Sequence, residues 1–403
     1  MRLGADIKDK IKSGEKIYNF TIGDFDSSIF SIPKKLEQEI IESYKNKFTT
    51  YPPAEGILSL RESVAQFIKE REGLVFNTSE ILIAAGGRPL IYTLYRALVD
   101  KGDKVIYAVP SWNNNHYVHF VEGRHEVIEA TRENNFMPLA EDIYPHIKDA
   151  VLIALCSPLN PTGTVFKKEE LEKICDMVLE ENSRRGEEEK KLYVLYDQMY
   201  WTLTFGDTVH YNPVSLRPEM KDYTIFIDGI SKAFAATGVR VGWALGPEHV
   251  LTKMKAINSH VGAWSPMAEQ HATAKFLTQN KVIDEYLINY KKELEQRLQF
   301  IYEGFQQLRS EGFSVDACAP QAAIYLTIQL SLAGKTTAEG SVLATQSDVT
   351  SYILNEAKLA VVPFYAFGAS KKSDWYRLSV GTCRKEEIPA MLDKLKEALT
   401  KLK

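Results

Sequence analysis

Ser231-Lys232-Ala233-Phe234-Ala235-Ala236-Thr237-Gly238-Val239-Arg240-Val241-Gly242-Trp243 is the stretch around which the rest of this chain can be read. It sets a lysine beside a serine, then a turn of small residues, then an arginine able to reach back to the same spot. A lysine that forms an imine must be shielded from permanent hydration. A phosphate held nearby calls for a hydroxyl and a guanidinium. One turn-rich segment can supply both. A lysine alone says little, since most are solvated surface charges. Ser-Lys-x-Phe followed by Gly-x-Arg-x-Gly-Trp is a far more specific pattern.

Upstream of this segment, short apolar runs alternate with amphipathic ones. Ile81–Ala85, Lys104–Tyr107, Ala150–Leu155, Leu192–Tyr196 and Thr224–Asp228 read as buried strands, with helical patterns between them such as Pro89–Leu98 and Lys167–Glu181. That alternation predicts an α/β fold whose largely parallel sheet is covered by helices on both faces. Ligands of such sheets collect at the C-terminal ends of the strands. Downstream, a stretch from about Lys281 to Arg309 is dense in Lys, Glu and Arg at i,i+4 spacing and predicts a long helix. Strand-like runs at Ala323–Ile328 and Leu359–Val362 and a final helix from about Lys385 follow. The expected organisation is an N-terminal segment (1–49) that joins a small C-terminal α/β domain (283–403), and a large domain (50–282). The interdomain helix opens the small domain.

At 403 residues the chain is too long for one ordinary core. With 45% hydrophobic and 25% charged residues it has the composition of a soluble globular protein. A formal charge of −4 gives no whole-protein attraction to nucleic acid or acidic membranes. Cys156, Cys175, Cys318 and Cys383 are scattered without metal-ligand spacing, so buried thiols in a reducing cytoplasm, and no metal, are expected. The N-terminus has no apolar core of a secretory signal, and no apolar run is long enough to span a bilayer.

Several punctuated motifs follow the strand-like runs. Ala85-Gly86-Gly87-Arg88-Pro89 follows one strand and opens a helix, where glycines let backbone N–H groups approach an anion. Ser157-Pro158-Leu159-Asn160-Pro161-Thr162-Gly163 follows another, and its prolines fix the loop so that the Asn160 amide can point into the crevice. Pro110-Ser111-Trp112 and Asp197-Gln198-Met199-Tyr200 follow two more. Taken singly these are a plain turn, a rigid turn, a core tryptophan and an aspartate helix cap before a core tyrosine. Their order relative to Ser231–Trp243 gives them a common meaning.

Together they resemble the class I/II aminotransferases, pyridoxal 5′-phosphate (PLP) enzymes of fold type I, over nearly the whole chain from about Gly23 to Gly381; the aspartate aminotransferase subgroup is the nearer likeness. The resemblance implies that Lys232 carries the cofactor as a Schiff base. Gly86, Gly87, Arg88, Ser231 and Arg240 would surround its phosphate end, and Trp112 would stack on the pyridine face. Asp197 would hold the ring nitrogen protonated, making the ring a better electron sink. Asn160 and Tyr200 would bond the phenolate oxygen. Relatives often have a hydroxyl residue near Ala85, so that side of the phosphate cup relies on backbone donors. They usually have Glu or Ala where this chain has Gln198, and often His or Asn where it has Leu159. Tyr51, in Thr50-Tyr51-Pro52-Pro53-Ala54-Glu55-Gly56, resembles the tyrosine that reaches the phosphate of the neighbouring subunit, which implies a homodimer with shared active sites.

Arg377, in Trp375-Tyr376-Arg377-Leu378-Ser379, matches the family arginine that clamps an α-carboxylate, for which a planar fork is needed. Gly23 resembles the glycine beside that carboxylate, with Trp112 and Asn160 also facing substrate. The activity so implied is ping-pong transfer of an amino group from an L-amino acid to a 2-oxo acid through pyridoxamine phosphate, with Lys232 as the base. Arg88 sits where aspartate-using members place a cation for the distal carboxylate, which favours an aspartate-type donor; a structural arginine at a helix start is the alternative. Trp264 and Phe364-Tyr365 could instead form an aromatic substrate wall for aromatic or other neutral amino acids, or could equally be packing around the cleft. The same residues would serve a β-eliminating lyase. A PLP-binding regulatory protein would need a DNA-binding module, and no basic helix-turn-helix region precedes Gly23.

Overall fold

A computed structural model describes residues 2–403, with side chains from residue 4. Its centre is a seven-stranded sheet in the order Ile81–Ala84, Gly242–Leu245, Thr224–Gly229, Tyr193–Asp197, Ala150–Cys156, Lys104–Val109, Arg124–Glu129. Every neighbouring pair is parallel except those made by Gly242–Leu245, which runs against both its neighbours. Successive residues of these strands alternate between two apolar layers. Ile83, Ile106, Ile153, Val194 and Phe226 enter one, and Leu82, Val105, Leu152, Leu195 and Ile225 the other. A sheet covered on both faces has no wet side, which is why its strands read as unbroken apolar runs.

Because the strands are parallel, their C-terminal ends share one edge. Ala84, Val109, Cys156, Asp197 and Gly229 all end there, and each leads directly into one of the motifs above. The antiparallel strand starts at that edge with Gly242, so Arg240, two residues earlier, arrives from the opposite direction at the same place.

A second sheet, in the order Val362–Pro363, Trp375–Ser379, Tyr325–Leu330, Val315–Ala317, is antiparallel throughout. The helix Asn280–Ser310 packs on its Val315–Ala317 edge and on the last helix, Ile388–Thr400. Phe20 accepts the Ser379 N–H through its carbonyl, and the Asp26 N–H donates to Gly381, which straps residues 20–26 beside the strand that carries Arg377. The run Leu359–Val362 divides: Leu359–Ala360 pairs with Tyr18–Asn19, and Val362–Pro363 joins the second sheet. The last helix opens with a 3₁₀ turn at Lys385–Glu387 and becomes α-helical at Ile388. Among the described residues no helix is long and apolar enough to cross a membrane.

Candidate active site

Lys232 lies on the one-turn helix Ile230–Ala233, and its Nζ donates to the Gly23 carbonyl at 2.7 Å. The amine is 5.4 Å from the Phe25 ring centroid and 5.8 Å from that of Tyr200. Burial lowers its pKa from 10.5 to about 8; Arg377, Arg88 and Arg240 push the same way and Asp24 opposes them. An amine so placed is neutral far more often than a surface lysine.

Arg240 has a left-handed backbone (φ 63°), which turns its guanidinium back across the sheet edge to donate to the carbonyls of Thr237 at 2.6 Å and Ala85 at 2.7 Å. Gly86 (φ 85°) caps the helix Gly87–Leu98 directly beneath it, and a Cβ there would lie 2.5 Å from the guanidinium. Gly242 is glycine for a related reason: its Cβ would meet the Gly86 backbone at 2.7 Å. The helix N-terminus and the Arg240 guanidinium thus converge. Free N–H groups plus a cation are an anion site. Arg88, on the first turn of the same helix, stands over the Trp112 ring at 5.3 Å from its centroid.

Asp197 ends its strand with its carboxyl enclosed, and burial raises its pKa from 3.8 to about 6 despite the bond from the Met199 N–H. The Tyr200 hydroxyl is 2.6 Å from that of Tyr325. Asn160 accepts from Arg377 through Oδ1 at 3.1 Å, which leaves its amide N–H groups to other partners. Arg377, only 4% exposed, also donates to the Thr21 carbonyl at 2.7 Å, while its buried Nε has no partner among the described residues. Tyr325 and Phe367 flank the guanidinium at 4.7 and 4.9 Å. Gly23 must lack a side chain, since a Cβ would lie 2.9 Å from the Tyr325 hydroxyl.

Lys232, Gly23, Arg377, Asn160 and Tyr200 are linked directly or through one residue, and Arg240, Gly86, Gly87, Arg88 and Trp112 form a second connected group. Tyr51 stands apart, 84% exposed and edge-on to Trp264 at 5.3 Å. Phe364 is 1% exposed and packs on Phe136. Three contributors carry no local mark in the sequence. Tyr325 sits in an ordinary strand run, Phe367 in a 3₁₀ turn, and Tyr290, whose hydroxyl holds the Lys232 carbonyl at 3.1 Å, on the long helix. Only packing brings them in.

Comparison with known proteins agrees with this geometry. The model of the family "Aminotransferase class I and II" matches residues 15–395. An aspartate aminotransferase of Bacillus sp. strain YM-2 is 30% identical over 342 residues, 84% of this chain and 82% of its own. Among solved structures, the aspartate aminotransferase of Rhizobium meliloti superposes with a TM-score of 0.91 at 24% identity, covering 100% of this chain and 96% of that one. The Thermus thermophilus aspartate aminotransferase with maleate gives 0.86 at 25% identity over 99% and 96%. A parallel sheet whose strand ends converge on one half-buried lysine, matched over nearly the full chain, makes this protein a member of the class I and II aminotransferases.

Proposed function

We propose that the protein is a PLP-dependent aminotransferase that moves an amino group from an L-amino acid to a 2-oxo acid in two half-reactions, with an aspartate-type donor. The observation that carries this reading is a buried lysine amine held on the Gly23 carbonyl, its pKa lowered to about 8 by burial, with Arg377, Arg88 and Arg240 near enough to push the same way. PLP fits the residues present. The cradle at Gly86 is one a Cβ would fill, Arg240 and the helix N-terminus offer an anion site, and Asp197 supplies an enclosed carboxyl. When bound, PLP supplies the electron sink that lets an amino acid lose its α-proton.

The chain's own residues do the rest. Lys232, neutral above about pH 8, attaches the cofactor and, once displaced by the incoming amine, takes up and returns the α-proton. Asp197 as carboxylate favours a protonated ring nitrogen. Tyr200 and Asn160 would hold the ring oxygen, Trp112 would cover the ring face, and Ser231, Gly86, Gly87, Arg88 and Arg240 would surround the phosphate. Arg377 still has unused N–H groups on each terminal nitrogen for an α-carboxylate. Residues 50–282 would form the cofactor domain, and 283–403 with 1–49 the domain that brings Arg377 to it. Tyr51, exposed at the rim, would reach the partner's site in a cytoplasmic homodimer.

Support for a dicarboxylic donor comes from Arg88, a cation standing over Trp112, and from the maleate-bound Thermus relative. The test is to add L-aspartate alone to the PLP-loaded protein and follow the cofactor absorbance. Loss of the lysine-linked band, with oxaloacetate formed in proportion to sites, is expected. No change with aspartate but conversion with phenylalanine would keep the aminotransferase and overturn the dicarboxylate preference. Release of ammonia and pyruvate from cysteine-type substrates without an acceptor would favour elimination.

A further inference from the structure

Around Gln198, the residue after Asp197, lies a set of buried polar groups that the proposed chemistry does not use. Glu72 is the last residue of the helix Leu58–Glu72, and its side chain is 4% exposed. Its Oε2 accepts from Gln198 Nε2 at 2.7 Å and its Oε1 from Asn212 Nδ2 at 3.2 Å. His210 Nε2 is 3.8 Å from Oε1 and 3.4 Å from Gln198 Oε1. Among the described residues no lysine or arginine lies within 4.0 Å of this carboxyl, and the adjacent Arg71 turns outward to Asp284. Burial raises the Glu72 pKa to about 7 and lowers that of His210 to about 3. A carboxyl enclosed without a cation is costly. A hydrophobic side chain at the end of this helix would fill the space more cheaply, so the polar group calls for a reason.

Gln198 supplies one. It is fully buried and forms the middle of the Asp197–Trp201 turn, its N–H donating to the Ile227 carbonyl and its carbonyl accepting the Trp201 N–H. Trp201 in turn donates its indole N–H to buried Asp228 at 2.8 Å. The turn that presents Asp197 and Tyr200 is therefore held by two side chains, Trp201 on Asp228 and Gln198 on Glu72. We propose that Glu72 is a positioning residue for Asp197 and Tyr200, acting through Gln198, and that the neutral amide at position 198 is matched to the carboxyl at position 72. A glutamate at 198, which the family resemblance would allow, would here face a second buried carboxyl.

This inference rests on the PLP reading, and the experiment separates the two. PLP affinity is measured by absorbance titration of wild type, Glu72→Gln, Gln198→Glu and the reciprocal Glu72→Gln/Gln198→Glu double variant, with kcat and KM for the donor that wild type uses. Loss of one hydrogen bond to a charged group corresponds to roughly a tenfold effect. Each single variant is expected to weaken PLP binding about tenfold and lower kcat, with KM held by the untouched Arg377. The double variant restores one carboxyl facing one amide and is expected to regain most of the lost affinity, which general loosening of the fold would not produce. Unchanged affinity and kcat in Glu72→Gln, or losses that simply add in the double variant, would overturn the proposal. If Gln198→Glu does not fold, Glu72→Gln decides through its kcat and KM: a fall in thermal stability alone, or equal changes in both constants, overturns it. A wild type that binds no PLP would instead defeat the functional reading.

Discussion

Lys232 shows how much one side chain depends on its surroundings. Its amine is pulled below the ordinary lysine value by burial first and by three arginines second. The neutral amine is the nucleophile, so capture of PLP by the apo protein should accelerate about tenfold per pH unit up to about pH 8 and level off above it; stopped-flow absorbance at a series of pH values checks this. A profile still climbing toward pH 10 would mean an ordinary lysine. The same shift bears on stability. The unfolded chain holds the proton more tightly than the fold between about pH 8 and 10.5, so this group makes the fold more stable as pH rises through that window. Lys232→Ala removes the attachment point and the proton carrier together. Turnover and the lysine-linked absorbance should disappear, while the circular dichroism spectrum and some PLP binding persist. Steady-state transamination by that variant would contradict the assignment.

At the scale of elements, the loop Ser157–Gly163 is what joins the two sheets at the site. Gly163 has φ 73°, and a Cβ on it would lie 2.4 Å from the Tyr325 carbonyl oxygen. Its own carbonyl accepts the Ala322 N–H at 3.0 Å, and the Thr162 carbonyl accepts the Thr327 hydroxyl at 2.9 Å. The loop is thus docked on the strand beside the one carrying Arg377, which is how Asn160 and Arg377 meet. Gly163→Ala combines left-handed strain with a backbone clash and should cost about 2–3 kcal/mol, read as a lower Tm. KM for the amino acid should rise, because Asn160 and Arg377 are drawn apart. A variant with unchanged KM would show that the loop's docking does not align them. The motif was legible as Asn-Pro-Thr-Gly in the sequence. The strand it docks on was legible as the run Ala323–Ile328, but the docking itself was not, since a buried aromatic such as Tyr325 in an apolar run is indistinguishable from core.

For the whole molecule, the exposed Tyr51 is the feature a single chain leaves without a role. In the proposed dimer with shared sites, Tyr51→Phe and Lys232→Ala lesions fall in the same site of a mixed dimer and leave its other site intact. Where each lesion alone abolishes most activity, refolding equal amounts of the two should restore about a quarter of wild-type activity, since half the dimers are mixed and each keeps one of two sites. An assay before and after mixing checks this. No recovery, with mixed dimers shown to form, would place Tyr51 in its own chain's site or in none.

The sequence by itself determined the fold class and the order of the motifs, and it singled out Lys232 as the candidate lysine. Parallel strands buried on both faces must be apolar throughout, and strand ends must be punctuated by Gly, Pro and Asn where the chain turns toward a ligand. Those constraints are local and leave local traces. It did not show the edge strand Arg124–Glu129, which is mostly exposed and charged, nor the four-residue antiparallel strand Gly242–Leu245 that delivers Arg240. The partnerships of Tyr325 with Tyr200, Thr21 with Arg377, Gly23 with Lys232 and Glu72 with Gln198 were equally hidden. Each joins residues more than 120 positions apart. Their geometry is set by how the two sheets and the strapped N-terminal segment pack, and only the tertiary structure decides that.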